Sequence, residues 1–159
     1  MTSLHDFTMT TIDGQERSLS DYAGKVAVVV NVASRCGLTP HYTGLQALHA
    51  EHDDVVVLGF PCNQFGAQEP GTEAQIQEFC STKYDVTFPM FAKIEVIGDG
   101  RSPLYAWLTG EHTQPDGPGD IAWNFAKFVI GKDGQIVGRF HPKTAPQDLK
   151  PTIATALEG

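Results

Sequence analysis

The stretch V-A-V-V-V-N-V-A-S-R-C-G-L at residues 26–38 reads as a buried strand that ends in a cysteine. β-Branched and small apolar residues run without polar alternation up to Asn31, the pattern of a strand covered on both faces. The chain then turns through Ala33, Ser34 and Arg35, presents Cys36-Gly37, and passes by Thr39-Pro40 into a helical pattern. Amides at a helix N-terminus favour negative charge and activate a nearby thiol as its thiolate. Strand–turn–helix junctions are also where open α/β sheets hold their ligands. Cys36 is therefore the first candidate for chemistry, set against the plain alternative of a buried, inert cysteine.

Working outward, Phe7–Ser18 alternates around Asp13-Gly14 and predicts a small N-terminal β-hairpin, followed by a turn of helix near Leu19–Ala23. A helix is expected from Pro40, a good first helical residue, with Tyr42, Leu45, Leu48 and His52 on one face. Val55–Phe60 is a second buried strand. Strand, helix and strand with short joints make these two strands parallel. Pro61–Gly71 lacks any period and reads as a loop. Thr72-x-x-Gln75 is a capping box opening a helix that buries Ile76, Phe79 and Cys80. Short extended pieces follow around Phe88-Pro89. Gly98-Asp99-Gly100 is a turn, and Ser102-Pro103 caps a short helix carrying Leu104, Trp107 and Leu108. Gln114–Asp120 is a Gly/Pro-rich loop. Lys127–Ile130 and Ile136–Phe140 flank the hairpin signal Asp133-Gly134. A last helix carries Leu149, Ile153 and Leu157, with a tight turn before it because Pro151 interrupts its start.

The order β-hairpin, βαβ, helix, ββα is the layout of a thioredoxin-like fold. The expected architecture is α/β, in a single domain over residues 1–159. Its centre is a four-stranded mixed sheet with helices on both faces, beside the N-terminal β-hairpin. The expected strand order is Val55–Phe60, Val26–Val32, Lys127–Ile130, Ile136–Phe140. The first two βα joints then share one sheet edge, and the approach to Lys127 can reach it.

Composition narrows the classes. The 159 residues are 41% hydrophobic and 19% charged, with a formal net charge of −8, as in a globular domain with a full core. No stretch concentrates Lys and Arg, so neither nucleic acid nor an anionic membrane finds an electrostatic footprint. The first 25 residues lack the apolar core of a signal peptide, and no apolar run is long enough to anchor the chain in a bilayer. Three cysteines are too few and too odd for a secreted disulfide scaffold. The expectation is a cytoplasmic protein in which any disulfide is transient. No cofactor and no metal are expected: His49 and His52 lie one turn apart, but nothing nearby completes a set of ligands.

A C-x-x-C oxidoreductase would carry a second cysteine at position 39, where this chain has threonine. A lone activated thiolate suits attack on an electrophile such as a peroxide oxygen, after which another thiol must recover the sulfenic acid. Cys80 and Cys62 are both candidates for that thiol. The ordinary alternatives are a small core residue for Cys80 and a packed loop residue for Cys62. Gln68, Trp123 and Asn124 supply neutral N–H donors that stabilise a thiolate and polarise an O–O bond. Alternatively, Trp123 simply packs, Asn124 caps a strand and Gln68 lies in solvent.

Three motifs then resemble the glutathione peroxidases: N-V-A-S-R-C-G-L-T at 31–39, G-F-P-C-N-Q-F-G-A-Q-E-P-G at 59–71 and W-N-F-A-K-F at 123–128. Their order and spacing extend the resemblance over nearly the whole chain. It implies a thioredoxin-like fold and a catalytic tetrad, with Cys36 as the peroxidatic residue and Gln68, Trp123 and Asn124 as its partners. F-C-S-T-K-Y at 79–84 resembles the resolving-cysteine helix of cysteine-type members, which makes Cys80 the resolver and thioredoxin a better reductant than glutathione. The short 109–121 segment resembles members that lack a tetramer-forming insertion, so a monomer is expected. The implied activity is reduction of hydroperoxides through a Cys36 sulfenic acid and a Cys36–Cys80 disulfide. The competing reading is a redox sensor that uses the same residues to pass oxidation to a partner protein.

Overall fold

The computed structural model describes residues 2–110, 115 and 117–159. β1 (Thr8–Thr10) and β2 (Glu16–Ser18) form the expected antiparallel hairpin. β3 (Val26–Val32) and β4 (Val55–Pro61) pair in parallel from Val26↔Val55 to Val32↔Pro61, joined by α1 (His41–Glu51). β5 (Lys127–Ile130) lies antiparallel on the other side of β3, and β6 (Ile136–Phe140) pairs with β5. The sheet order β4-β3-β5-β6 is the order expected from the sequence. α2 (Glu73–Tyr84), α3 (Pro103–Gly110) and α4 (Lys150–Leu157) complete the labelled elements.

The sheet divides two cores, and side-chain alternation assigns the apolar residues of β3 to one or the other. Val26, Val28, Val30 and Val32 face α1, α2 and α4, where Tyr42, Leu45, Leu48, Ile76, Cys80, Leu149 and Ile153 are buried. Ala27 and Val29 face α3 and the N-terminal segment, packing among Phe60, Phe91, Leu104, Tyr105 and Leu108. The continuous apolar run of β3 is thus the signature of a strand buried on both sides. On the second face the Phe60 and Phe91 rings stack with centroids 4.5 Å apart.

Several local expectations need correction. α1 begins at His41, and Pro40 is its N-cap with no side-chain cap bond. His52 is the exposed C-cap of α1 and not part of its buried face, because the chain has already turned extended there. Phe79 is only partly buried. Ser102 precedes α3, but its hydroxyl makes no hydrogen bond among the described residues, so it does not cap through its side chain. The Thr72–Gln75 capping box is present in full. Pro151 is accommodated in the first turn of α4, where its missing N–H is not needed. The tight turn expected before it is a 3₁₀ turn over Pro146–Leu149. Gln114 and Asp116 of the Gly/Pro-rich loop lie outside the described residues, as do residues 111–113 of the segment used to expect a monomer.

The core on the Phe60 side supports a direct stability test. Phe60→Ala should lower the unfolding free energy by about 3–5 kcal/mol. Val137→Ala, at a residue 47% exposed, should change it by less than about 0.5 kcal/mol. Equilibrium urea unfolding measures both.

Candidate active site

Three chain segments meet at the C-terminal end of β3. The first is the Cys36 loop. Cys36 does not lie in the first turn of α1. A ramp of short turns leads from it into the helix, with Thr39 N–H donating to the Cys36 carbonyl and His41 N–H to that of Leu38. Two N–H groups donate to its sulfur, the Leu38 amide at 3.3 Å and the Trp123 indole at 3.3 Å. The amide at the thiol therefore belongs to the ramp and not, as expected, to the helix. Thr39 is more than an absent cysteine. Its buried hydroxyl accepts from the Cys36 amide at 2.9 Å and donates to the Ala33 carbonyl at 2.8 Å, stapling the loop shut.

The second segment follows β4. The Arg35 amide donates to the Gln68 carbonyl at 3.0 Å and the Ser34 amide to Glu69 Oε1 at 3.1 Å. Successive amides of the Cys36 loop thus hold residues 68 and 69 in place. Gly66 sits at φ +70, and a Cβ there would come within 3.0 Å of the Trp123 ring. Both the backbone conformation and the close approach call for glycine.

The third segment is Trp123–Ala126, and Asn31 holds it. Asn31 is buried inside β3. Its carboxamide donates to the Trp123 carbonyl at 3.2 Å and accepts from the Ala126 amide at 3.1 Å. Its backbone carbonyl accepts from the Phe125 amide at 2.6 Å. Phe125 is at φ +68, a left-handed conformation that costs a bulky residue about 1–3 kcal/mol and persists only where the surroundings over-determine it.

Of the four residues expected to act together, Trp123 reaches Cys36 directly. The Asn124 carboxamide donates to Gln68 Oε1 at 3.1 Å and toward the Phe65 carbonyl at 3.4 Å. Gln68 and Asn124 hydrogen-bond to one another, and among the described residues neither bonds to the Cys36 sulfur. Trp123 is 37% exposed while Cys36 is 8% exposed, so the thiol lies just beneath an indole at the surface.

The other two cysteines are on opposite faces of the sheet. Cys80 is buried on the same side as Cys36, and Cys62 packs in the core of the other side. Burial pushes the Cys80 thiol up to about 11. The Tyr42 hydroxyl pulls the other way, and the Glu69 carboxylate adds a smaller upward push. Burial also raises Cys62, whose sulfur donates to Gln64 Oε1 at 3.5 Å.

Two further buried groups border the site. Glu69 is 1% exposed, and burial raises its carboxyl above the usual range. Lys127 is fully buried in β5, with its ammonium 2.8 Å from His41 Nδ1 and donating to the Pro142 and Thr144 carbonyls at 2.8 Å each. Burial lowers Lys127 to about 7. Burial, aided by Lys127, lowers His41 to about 4. Sequence reasoning passed over Asn31, Thr39, Glu69 and Lys127 as functional residues. The available signal was a polar residue inside an apolar strand at Asn31 and a lysine at the start of a buried one at Lys127.

A protein with this sheet order and a cysteine at this strand end belongs to the thioredoxin-like class. A thioredoxin family thiol:disulfide interchange protein from Chlorobium tepidum superposes with a TM-score of 0.66 at 19% identity, over 95% of this chain and 92% of that one. A crystal structure of Trgpx in apo form superposes with a TM-score of 0.81 at 42% identity, over 99% and 97%. The Glutathione peroxidase family profile matches residues 4–109. Hydroperoxy fatty acid reductase Gpx2 of Synechocystis sp. is 51% identical over 94% of this chain and 96% of its own. Thioredoxin/glutathione peroxidase BtuE of Escherichia coli is 43% identical over 91% and 93%. The chain belongs to the glutathione peroxidase family, and its enzyme class is peroxidase. Among the described residues no helix is long and apolar enough to cross a membrane.

The buried lysine gives a pH signature. Between about pH 7, where folded Lys127 titrates, and its ordinary value of 10.5, the unfolded chain holds a proton that the folded chain has released. Lys127 therefore makes stability rise with pH through that window and contributes no slope below it, where His41, lowered from 6.5 to about 4, adds a rise of its own. Urea unfolding should show wild type gaining stability on Lys127→Met between about pH 7 and pH 9, whereas a pH-independent difference contradicts the lowered value.

Proposed function

We propose that the whole chain, residues 1–159, acts as one thiol peroxidase domain in which Cys36 attacks the terminal oxygen of a hydroperoxide. The thiolate sulfur forms an S–O bond as the O–O bond breaks. Cys36 becomes a sulfenic acid, and the departing oxygen leaves as water or an alcohol once protonated. The observation that carries this reading is the Trp123 indole N–H on the Cys36 sulfur at 3.3 Å, beside the locked Gln68–Asn124 pair. Fixed neutral donors stabilise developing negative charge without reorganising. Gln68 and Asn124 take the role of orienting the oxygen.

Cys80 then attacks the sulfenic sulfur, forming a Cys36–Cys80 disulfide and releasing water. Its place in the same core as Cys36 supports it over Cys62, which the sheet separates from Cys36. The bridge needs the Cα of Cys80 within about 7 Å of that of Cys36, and Cys80 starts from the buried face of α2. Thioredoxin is the reductant we favour. BtuE is named for both thioredoxin and glutathione, but a chain of net charge −8 without a basic cluster gives anionic glutathione no obvious dock. Hydroperoxides of fatty acids fall within the substrate class, as the name of the Synechocystis relative suggests. The protein works as a monomer in a reducing cytoplasm.

Trp123→Phe should slow Cys36 oxidation about 10²-fold, the cost of losing one preorganised donor, read by stopped-flow mixing with hydrogen peroxide. Cys80→Ser should accumulate the Cys36 sulfenic acid and form no intramolecular bridge by mass spectrometry. A Cys36–Cys62 bridge there would reassign the resolver. Steady turnover should be faster with thioredoxin than with glutathione. A stable mixed disulfide with one partner protein, without turnover, would instead favour the sensor.

A further inference from the structure

Glu69 has no role in the steps above, yet it lines a groove together with residues of the loop that leads to Cys36 and of the helix that carries Cys80. Its Oε1 accepts from the Ser34 amide at 3.1 Å, two residues before Cys36. A groove of about 300 Å³ runs between the Cys36 loop and α2, lined by Ser34, Arg35, Glu69, Ile76 and Phe79. Cys80 is one helical turn beyond Ile76 on the same buried face of α2. Glu69 Oε2 and the Ser34 hydroxyl oxygen are both buried and complete no hydrogen bond of ordinary geometry among the described residues, although the hydroxyl is near enough to favour the charged carboxylate. If only the Ser34 amide needed an acceptor, a glutamine carbonyl would serve without burying an ionisable carboxyl.

We propose that Glu69 is the proton acceptor for disulfide formation: its carboxylate takes the Cys80 thiol proton as the Cys80 sulfur attacks the Cys36 sulfenic acid, and returns it to the departing hydroxide. This rests on Cys80 being the resolver. The S–S bond forms as the S–O bond breaks, hydroxide plus the relayed proton leaves as water, and Glu69 is regenerated. No outside oxidant or reductant is consumed.

Charge explains why this carboxylate suits the step. Its field raises Cys80, so a thiolate and a carboxylate together are penalised. Moving one proton from sulfur to carboxylate keeps a single negative charge in the pocket. The Ser34 hydroxyl and amide, then Lys93 and Arg35, favour that charge at Glu69 against the cost of its burial, while its field also raises Tyr42 and Cys62. Among the described residues, the titratable or charged groups shown to interact with it are Arg35, Tyr42, Cys62, Cys80 and Lys93.

The test is single turnover of the reduced full chain with one equivalent of hydrogen peroxide, acid-quenched and followed by mass spectrometry, in wild type and Glu69→Gln. The substituted carboxamide keeps an acceptor for the Ser34 amide but offers no base. The disulfide-forming phase should slow by about 10²-fold more than the sulfenic-acid phase. In the variant it should then climb about tenfold per pH unit, as Cys80 ionises by itself. Wild type should instead level off once Glu69 is ionised and slow on the acid side. Equal slowing of both phases, or an unchanged second phase, overturns the proposal and leaves Cys80 as resolver. So does a wild-type second phase that stays flat down through the ordinary carboxylate range, about pH 4.3, a result independent of how the variant folds. Absence of any Cys36–Cys80 bridge in wild type overturns both the proposal and the reading beneath it.

Discussion

The buried carboxamide of Asn31 is the interaction on which the site depends. A polar side chain inside a strand covered on both faces is costly unless both its donor and acceptor are used. Here both are used on residues 92 and 95 positions away, Trp123 and Ala126. That grip holds Phe125 left-handed and delivers the Trp123 indole to the Cys36 sulfur. β3 thus carries the site twice, leading into the Cys36 loop at its end and fixing the segment that covers the cysteine.

Around that contact the loops are held by hydrogen bonds and α2 by apolar packing. The Cys36 loop is closed by the Thr39 hydroxyl, and residues 68 and 69 are held to the loop by the Arg35 and Ser34 amides. α2 is packed differently. Its buried face presents Ile76 and Cys80, and Phe79 and Tyr84 rest against the Tyr42 ring at centroid distances of 6.4 and 5.4 Å. Tyr42 also meets Phe125 edge-on at 5.5 Å. One fully buried ring therefore touches both the helix carrying Cys80 and the segment carrying Trp123.

The strands were legible because their code is local. β-Branched runs, Asp-Gly turns and the Thr72–Gln75 capping box place each element within a residue or two, and short joints order the sheet. Cys36 was legible from its place after β3. Gln68, Trp123 and Asn124 stood out only through the motif resemblance, since as isolated residues they have ordinary packing roles. Asn31, Thr39 and Glu69 were not legible as site residues, because what each does depends on a backbone group that only the tertiary structure brings to it. The miss at His52 has a simpler cause. Helical spacing persists past the point where the backbone leaves the helix.

The central claim is that Cys36 alone takes the oxygen, while Cys80 and Cys62 are too deeply buried to compete in the reduced protein. Peroxide consumption by the reduced chain, without any added reductant, tests it most directly. Wild type should consume about one equivalent of hydrogen peroxide rapidly, with the first oxidation at Cys36. Cys36→Ser, with both other thiols intact, should consume essentially none on that timescale. Consumption by Cys36→Ser at the wild-type rate would contradict the account.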